Sequence, residues 1–122
     1  MQVWEAFALG QRKITMLRVQ PLVLDIIKQL QPALWVLRRK DRSLEDQLRR
    51  AIASVALSLA EGFGSRDGNK KLRYQNALGS FDEARMALQV AIAFGYVPAL
   101  DPALEKQMQD ATYMLVSLAK RA

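Results

Sequence analysis

LEDQLRRAIASVALSLAEGFG, Leu44–Gly64, followed by ALGSFDEARMALQVAIAFGY, Ala77–Tyr96, decides the fold of this chain. In the first stretch Leu44, Leu48, Ala51, Val55 and Leu59 recur every three or four residues, the spacing of one helix face. Ser43 is the expected N-cap, with Asp46 completing an imperfect capping box. Gly62 and Gly64 are expected to end the helix, and Ser65–Asn69 reads as a polar loop. A further helix is then predicted from Lys70 to Phe94, carrying Leu78, Phe81, Leu88 and Ile92, with Gly95 just past its end.

Outward from this pair the same period continues. On the N-terminal side, Leu22, Ile26, Leu30, Leu34 and Leu37 follow Pro21, and Pro32 should kink that helix or divide it. On the C-terminal side, Asp101 can cap and Pro102 can open a helix carrying Leu104, Met108, Ala111, Leu115 and Leu118. Short connections favour antiparallel neighbours, so the expected fold is all-α, an antiparallel up-and-down four-helix bundle. Residues 1–15 do not join the pattern and read as an N-terminal arm or a short extra helix, leaving 16–122 as one domain.

Composition narrows the chemistry. The 122 residues include no Cys and no His. That removes disulfides, thiolate nucleophiles, Cys-ligated metals, and the commonest general base and metal ligand. No Glu-x-x-His pair exists for di-iron bundle chemistry. Gly62, Gly64 and Gly68 fail the phosphate-loop pattern, since Gly68 is followed by Asn69 rather than Lys and the preceding element is a helix. Glu45 with Asp46, and Asp82 with Glu83, are adjacent on helices and point apart, so neither is an acid–base couple. No enzyme activity, cofactor or metal is expected. The apolar stretch Met1–Leu9 precedes Arg12 and Lys13, the reverse of a secretory signal, and no run is long enough for a transmembrane helix. A cytoplasmic protein is expected.

The charge is positive: 18 Lys and Arg against 12 Asp and Glu, a net +6. The cations cluster. Arg38, Arg39, Lys40, Arg42, Arg49 and Arg50 form one group, interrupted by Asp41, Glu45 and Asp46. Arg66, Lys70, Lys71 and Arg73 form another around the predicted loop, with Asp67. Such clusters attract phosphate backbones, though a solvated helix end has the same composition. Arg38, Arg39, Lys40, Arg42, Arg66, Lys70, Lys71 and Arg73 are the candidate nucleic-acid contacts. With no zinc finger or RNP-like aromatic pair, backbone and shape recognition is expected rather than base readout.

Gln47–Ala51, Ser54, Ala60–Gly62, Gly79-Ser80 with Glu83, and the close Ala93-Phe94-Gly95-Tyr96 together resemble a known family. It is the four-helix-bundle family of proteins encoded in intervening sequences of bacterial large-subunit (23S) ribosomal RNA, related to accessory proteins of diversity-generating retroelements. The resemblance covers the second and third predicted helices. It implies a homo-oligomer, a pentamer in relatives, no enzyme activity, and nucleic-acid binding as the recurring functional theme. Two features depart from it. Ser58 stands where the family usually has Asn, and no Trp lies early in the first helix. Roles of that Asn and that Trp are not carried over.

Arg49, Arg50, Ser54, Ser58, Glu61, Gly62, Gly79, Ser80 and Glu83 make up the structural motif of this stretch. Arg50, Ser54, Ser58 and Glu61 are expected on one helix face, apart from the apolar stripe. Folding the two helices back about residue 66 puts Arg50 level with Glu83 and Ser54 level with Gly79. An Arg–Glu clamp beside a close backbone crossing is the structural reading. A polar ligand site and a subunit contact are the alternatives. Met86, Met108 and Met114 are expected to fill core or interface gaps, and Tyr74, Tyr96 and Tyr113 to pack at the core edge, with interface contact or base stacking as alternatives. The leading functional reading is an RNA-binding homo-oligomer. The competing one is an assembly scaffold for an unidentified protein partner.

Overall fold

The computed structural model describes residues 17–121. The expected arm over residues 1–15 lies outside them. Among the described residues the fold is all-helical, with no strand. The helices are α1 (Val19–Gln29), α2 (Gln31–Lys40), α3 (Arg42–Phe63), α4 (Asp67–Ala93) and α5 (Pro102–Arg121). α4 packs against α3 and α5, α1 against α3 and α5, and α2 against α3.

α1 and α2 are the two parts of the helix that Pro32 was expected to divide. The break falls at Leu30, and Pro32 occupies the first turn of α2, where its missing N–H costs no hydrogen bond. Leu30 stays buried at the joint, and its N–H still bonds the Ile26 carbonyl at 3.0 Å. The Leu34 N–H in turn bonds the Leu30 carbonyl at 3.0 Å, so backbone bonding continues on both sides of the break. Arg38, Arg39 and Lys40 fill the last turn of α2, where cations meet the negative end of the helix dipole.

The cap of α3 differs from expectation. Asp41, not Ser43, is the N-cap, and its carboxylate accepts from the Leu44 N–H at 3.0 Å. Asp41 has the non-helical backbone that a cap requires, at φ −157° and ψ 90°, whereas Ser43 already lies inside the helix. The polar loop is also shorter than expected. Only Gly64–Arg66 separate α3 from α4, because Asp67, Gly68 and Asn69 join the helix. Asp67 takes a left-handed φ of 55°, which Asp tolerates better than most residues and which sharpens the reversal. α4 ends as its sequence predicts. Gly95 has φ 77°, its N–H bonds the Ile92 carbonyl at 2.9 Å, and the Tyr96 N–H bonds the Ala91 carbonyl at 3.0 Å. These paired bonds satisfy two end carbonyls of the helix.

One contiguous apolar cluster draws on all five helices. The predicted stripe of α3 is buried throughout, joined by Ile52, Ser58 and Gly62. On α4 the buried face is Tyr74, Ala77, Phe81, Ala84, Ala87, Leu88 and Ala91. Its many alanines bring the α3 and α4 backbones close with little side chain between them. Leu78 and Ile92, expected in the core, are only half-buried. Met108 is in the core and Met114 at its edge, but Met86 is exposed. Tyr113 is likewise exposed rather than at the core edge, whereas Tyr74 is buried and Tyr96 stacks on Phe94 with ring centroids 5.3 Å apart.

Candidate nucleic-acid interface

The motif residues of α3 and α4 meet, but not in the expected pairs. Ser54 Oγ lies 2.9 Å from Ser80 Oγ, and Arg73 Nε lies 3.2 Å from Glu61 Oε2. The helices thus run antiparallel with a register one residue away from the expected one. The Arg50–Glu83 clamp does not form. Arg50 points to solvent and binds Asp46 on its own helix at 3.0 Å, and Glu83 is exposed. The four residues expected on one face do share a side of α3, but they differ in burial: Ser58 is buried, Ser54 half-buried, and Arg50 and Glu61 exposed.

The close approach rests on a different glycine. A Cβ on Gly79 would meet nothing within 4 Å, because Gly79 faces outward. A Cβ on Gly62 would come within 2.6 Å of Tyr74 Cε1 and 3.2 Å of Arg73 Cβ. Gly62 therefore admits the Tyr74 ring against α3. Burial of that ring raises the pKa of the Tyr74 hydroxyl above the usual tyrosine value. Arg73, next to Tyr74, is carried to Glu61 and spans the two helices beside the turn.

The basic clusters occupy the two ends of α3. With 22 residues the helix is about 33 Å long, so the clusters are separate surfaces. At the first end Arg38, Arg39, Lys40 and Arg42 are all exposed, and none has a carboxylate within ion-pair distance among the described residues. Arg49 is held instead by Glu45 at 3.2 Å and Asp46 at 2.8 Å. At the second end Arg66 and Lys71 are exposed and Lys70 is half-buried, again without a carboxylate partner among the described residues, while Arg73 is engaged. The ion pairs thus tie down Arg49, Arg50 and Arg73 and leave Arg38, Arg39, Lys40, Arg42, Arg66, Lys70 and Lys71 without a carboxylate partner among the described residues. Hydrated, unpaired cations at a surface are the groups that exchange counterions for phosphates.

A model of the family described as 23S rRNA-intervening sequence protein matches residues 20–117. That span covers α2, α3 and α4 whole, α1 but for Val19, and α5 but for its last four residues. The chain belongs to the 23S rRNA-intervening sequence protein family. Searches of the curated proteins and of the solved structures each found no match. The 23S rRNA-intervening sequence protein match extends the resemblance carried by α3 and α4 across α1, α2 and most of α5. Among the described residues, no helix is long and apolar enough to cross a membrane.

The sequence reading missed the outward apolar residues of this 23S rRNA-intervening sequence protein. Leu57 is 63% exposed and Met86 64% exposed, and Leu72 and Phe94 also face solvent. A signal was present: Leu72, Gly79 and Met86 are spaced by seven, which keeps them on one side of α4, opposite its core face.

Proposed function

We propose that this protein is a non-enzymatic, homo-oligomeric four-helix bundle that binds RNA through its basic surface. α1 and α2 act as one bent limb of an antiparallel up-and-down bundle, with α3, α4 and α5 as the others. The observation that carries the binding reading is the set of cations at both ends of α3 that have no carboxylate partner among the described residues, in a chain of net charge +6. Membership of the 23S rRNA-intervening sequence protein family is compatible with RNA association. Self-assembly, in the pentamer that the family resemblance implies, would repeat each basic end around a ring. The outward apolar residues Leu57, Leu72 and Met86 support a contact between copies on the α3–α4 side. The site of action is the cytoplasm.

Neutralising Lys70, Lys71 and Arg66 to Gln together tests the reading. RNA affinity should fall and the salt slope should shrink by about one per cation that contacts phosphate. The exposed apolar residues favour a second reading, an assembly scaffold for a protein partner. A scaffold would be indifferent to these charge changes and sensitive to Leu57→Ser and Met86→Ser. Light scattering that finds a monomer at micromolar concentration would remove the ring from either reading.

A further inference from the structure

We infer that Trp35, with the arginines around it, is a stacking platform for an unpaired base of single-stranded RNA. The inference names the substrate class within the RNA-binding reading and rests on that reading.

Trp35 is 68% exposed on α2. Its neighbour Leu34 is buried, so the helix is anchored and its orientation leaves the indole in water. Arg38 and Arg39 stand three and four residues along, on the same side of the helix. From α3, Arg49 reaches the same place. Trp35, Leu34, Gln31 and these three arginines line a shallow groove of about 200 Å³. Arg49 is fixed there by Glu45 and Asp46, while Arg38 and Arg39 have no carboxylate among the described residues. The groove therefore offers one broad aromatic face, two free guanidinium groups and one guanidinium already held in position.

That combination selects its occupant by chemistry. An apolar protein surface covering Trp35 would have to desolvate Arg38 and Arg39 without pairing them. The contact between copies proposed above uses Leu57, Leu72 and Met86 of α3 and α4 and no residue of α2. A single strand meets both demands, with a base on the indole and flanking phosphates on the arginines. Duplex RNA hides its base faces inside its own stack and supplies only backbone. The other basic end lacks this arrangement. Tyr74, the aromatic residue of its helix start, is 3% exposed. The α3–α4 end is thus left to backbone contact, and the Trp35 end to unpaired bases.

The test uses tryptophan fluorescence. The chain has two tryptophans, and Trp4→Phe leaves Trp35 as the reporter. A single-stranded 12-nucleotide oligoadenylate and a 12-base-pair RNA duplex are titrated into this variant and into Trp4→Phe/Trp35→Ala, with single-strand binding also followed by anisotropy. The single strand should quench Trp35, and the duplex should leave it bright. Trp35→Ala should weaken single-strand binding about tenfold, within the range for loss of one base–aromatic stack, and leave the salt slope unchanged. Arg38→Gln with Arg39→Gln should lower that slope by about one per cation. Equal binding of both RNAs with no quenching and no effect of Trp35→Ala overturns the platform and leaves the general RNA reading standing. No binding of either RNA overturns both. A smaller assembly on light scattering of the Trp35→Ala protein would make Trp35 a subunit contact and also overturn the platform.

Discussion

Gly62 and Gly79 look alike in sequence and are opposite in structure. A methyl group at Gly62 collides with the buried Tyr74 ring, while one at Gly79 projects into open space. Gly62→Ala should therefore destabilise the protein by roughly 1–3 kcal/mol through overpacking, offset only in part by better helix propensity. Gly79→Ala should stabilise it by about 0.5–1 kcal/mol. Urea denaturation of the two variants checks both signs, and the reverse order would contradict the α3–α4 register. Tyr74 also gives a pH signature. Its pKa is raised in the folded state by desolvation, so the native state holds its proton more firmly than the unfolded chain. The corresponding stability is fully present below about pH 10 and is lost as pH rises through the folded pKa. Melting temperatures measured between pH 8 and about pH 11 should fall more steeply for the parent than for Tyr74→Phe. At this scale the sequence was legible for which residues were special and not for which pairs they form. Register depends on how the buried faces of α3 and α4 settle, with Gly62 admitting the Tyr74 ring, and a shift of one position moves Ser54 from Gly79 to Ser80.

The helices were legible wherever one face was apolar and the other polar. α3 and α5 show that contrast, and their predicted stripes lie in or against the core. α4 shows it poorly, because alanines fill its buried side while Leu72 and Met86 stand outside. Its existence could be read from length and the Gly95 stop, and Phe81 and Leu88 as core residues, but the buried alanines between them could not. Helix starts were less legible than helix ends. Ser43 and Asp41 are both good capping residues, and the choice depends on where the chain turns after Lys40. Asp41→Ala should lower stability by about 1 kcal/mol through loss of the bond to the Leu44 N–H. Ser43→Ala should change it by no more than a few tenths, as expected for a helix-interior surface site. Thermal denaturation of the pair separates the two capping schemes.

For the molecule as a whole, the decisive feature is how its charges are spent. Arg49, Arg50 and Arg73 are tied to carboxylates in the α3–α4 region, and among the described residues seven cations without a carboxylate partner, Arg38, Arg39, Lys40, Arg42, Arg66, Lys70 and Lys71, stand at the two ends of α3. Sequence supplied the clusters but could not say which cations are free, since Glu45, Asp46 and Glu61 choose their partners only once the helices form. The same holds for the outward apolar residues, whose exposure depends on which side of α4 faces α3. A salt titration of RNA binding should read the free cations directly. Nuclease-treated protein should bind labelled single-stranded RNA, with log affinity falling linearly in log salt between about 50 and 200 mM and a slope of several charges. Absence of binding at the lowest salt, or binding that ignores salt, would contradict it.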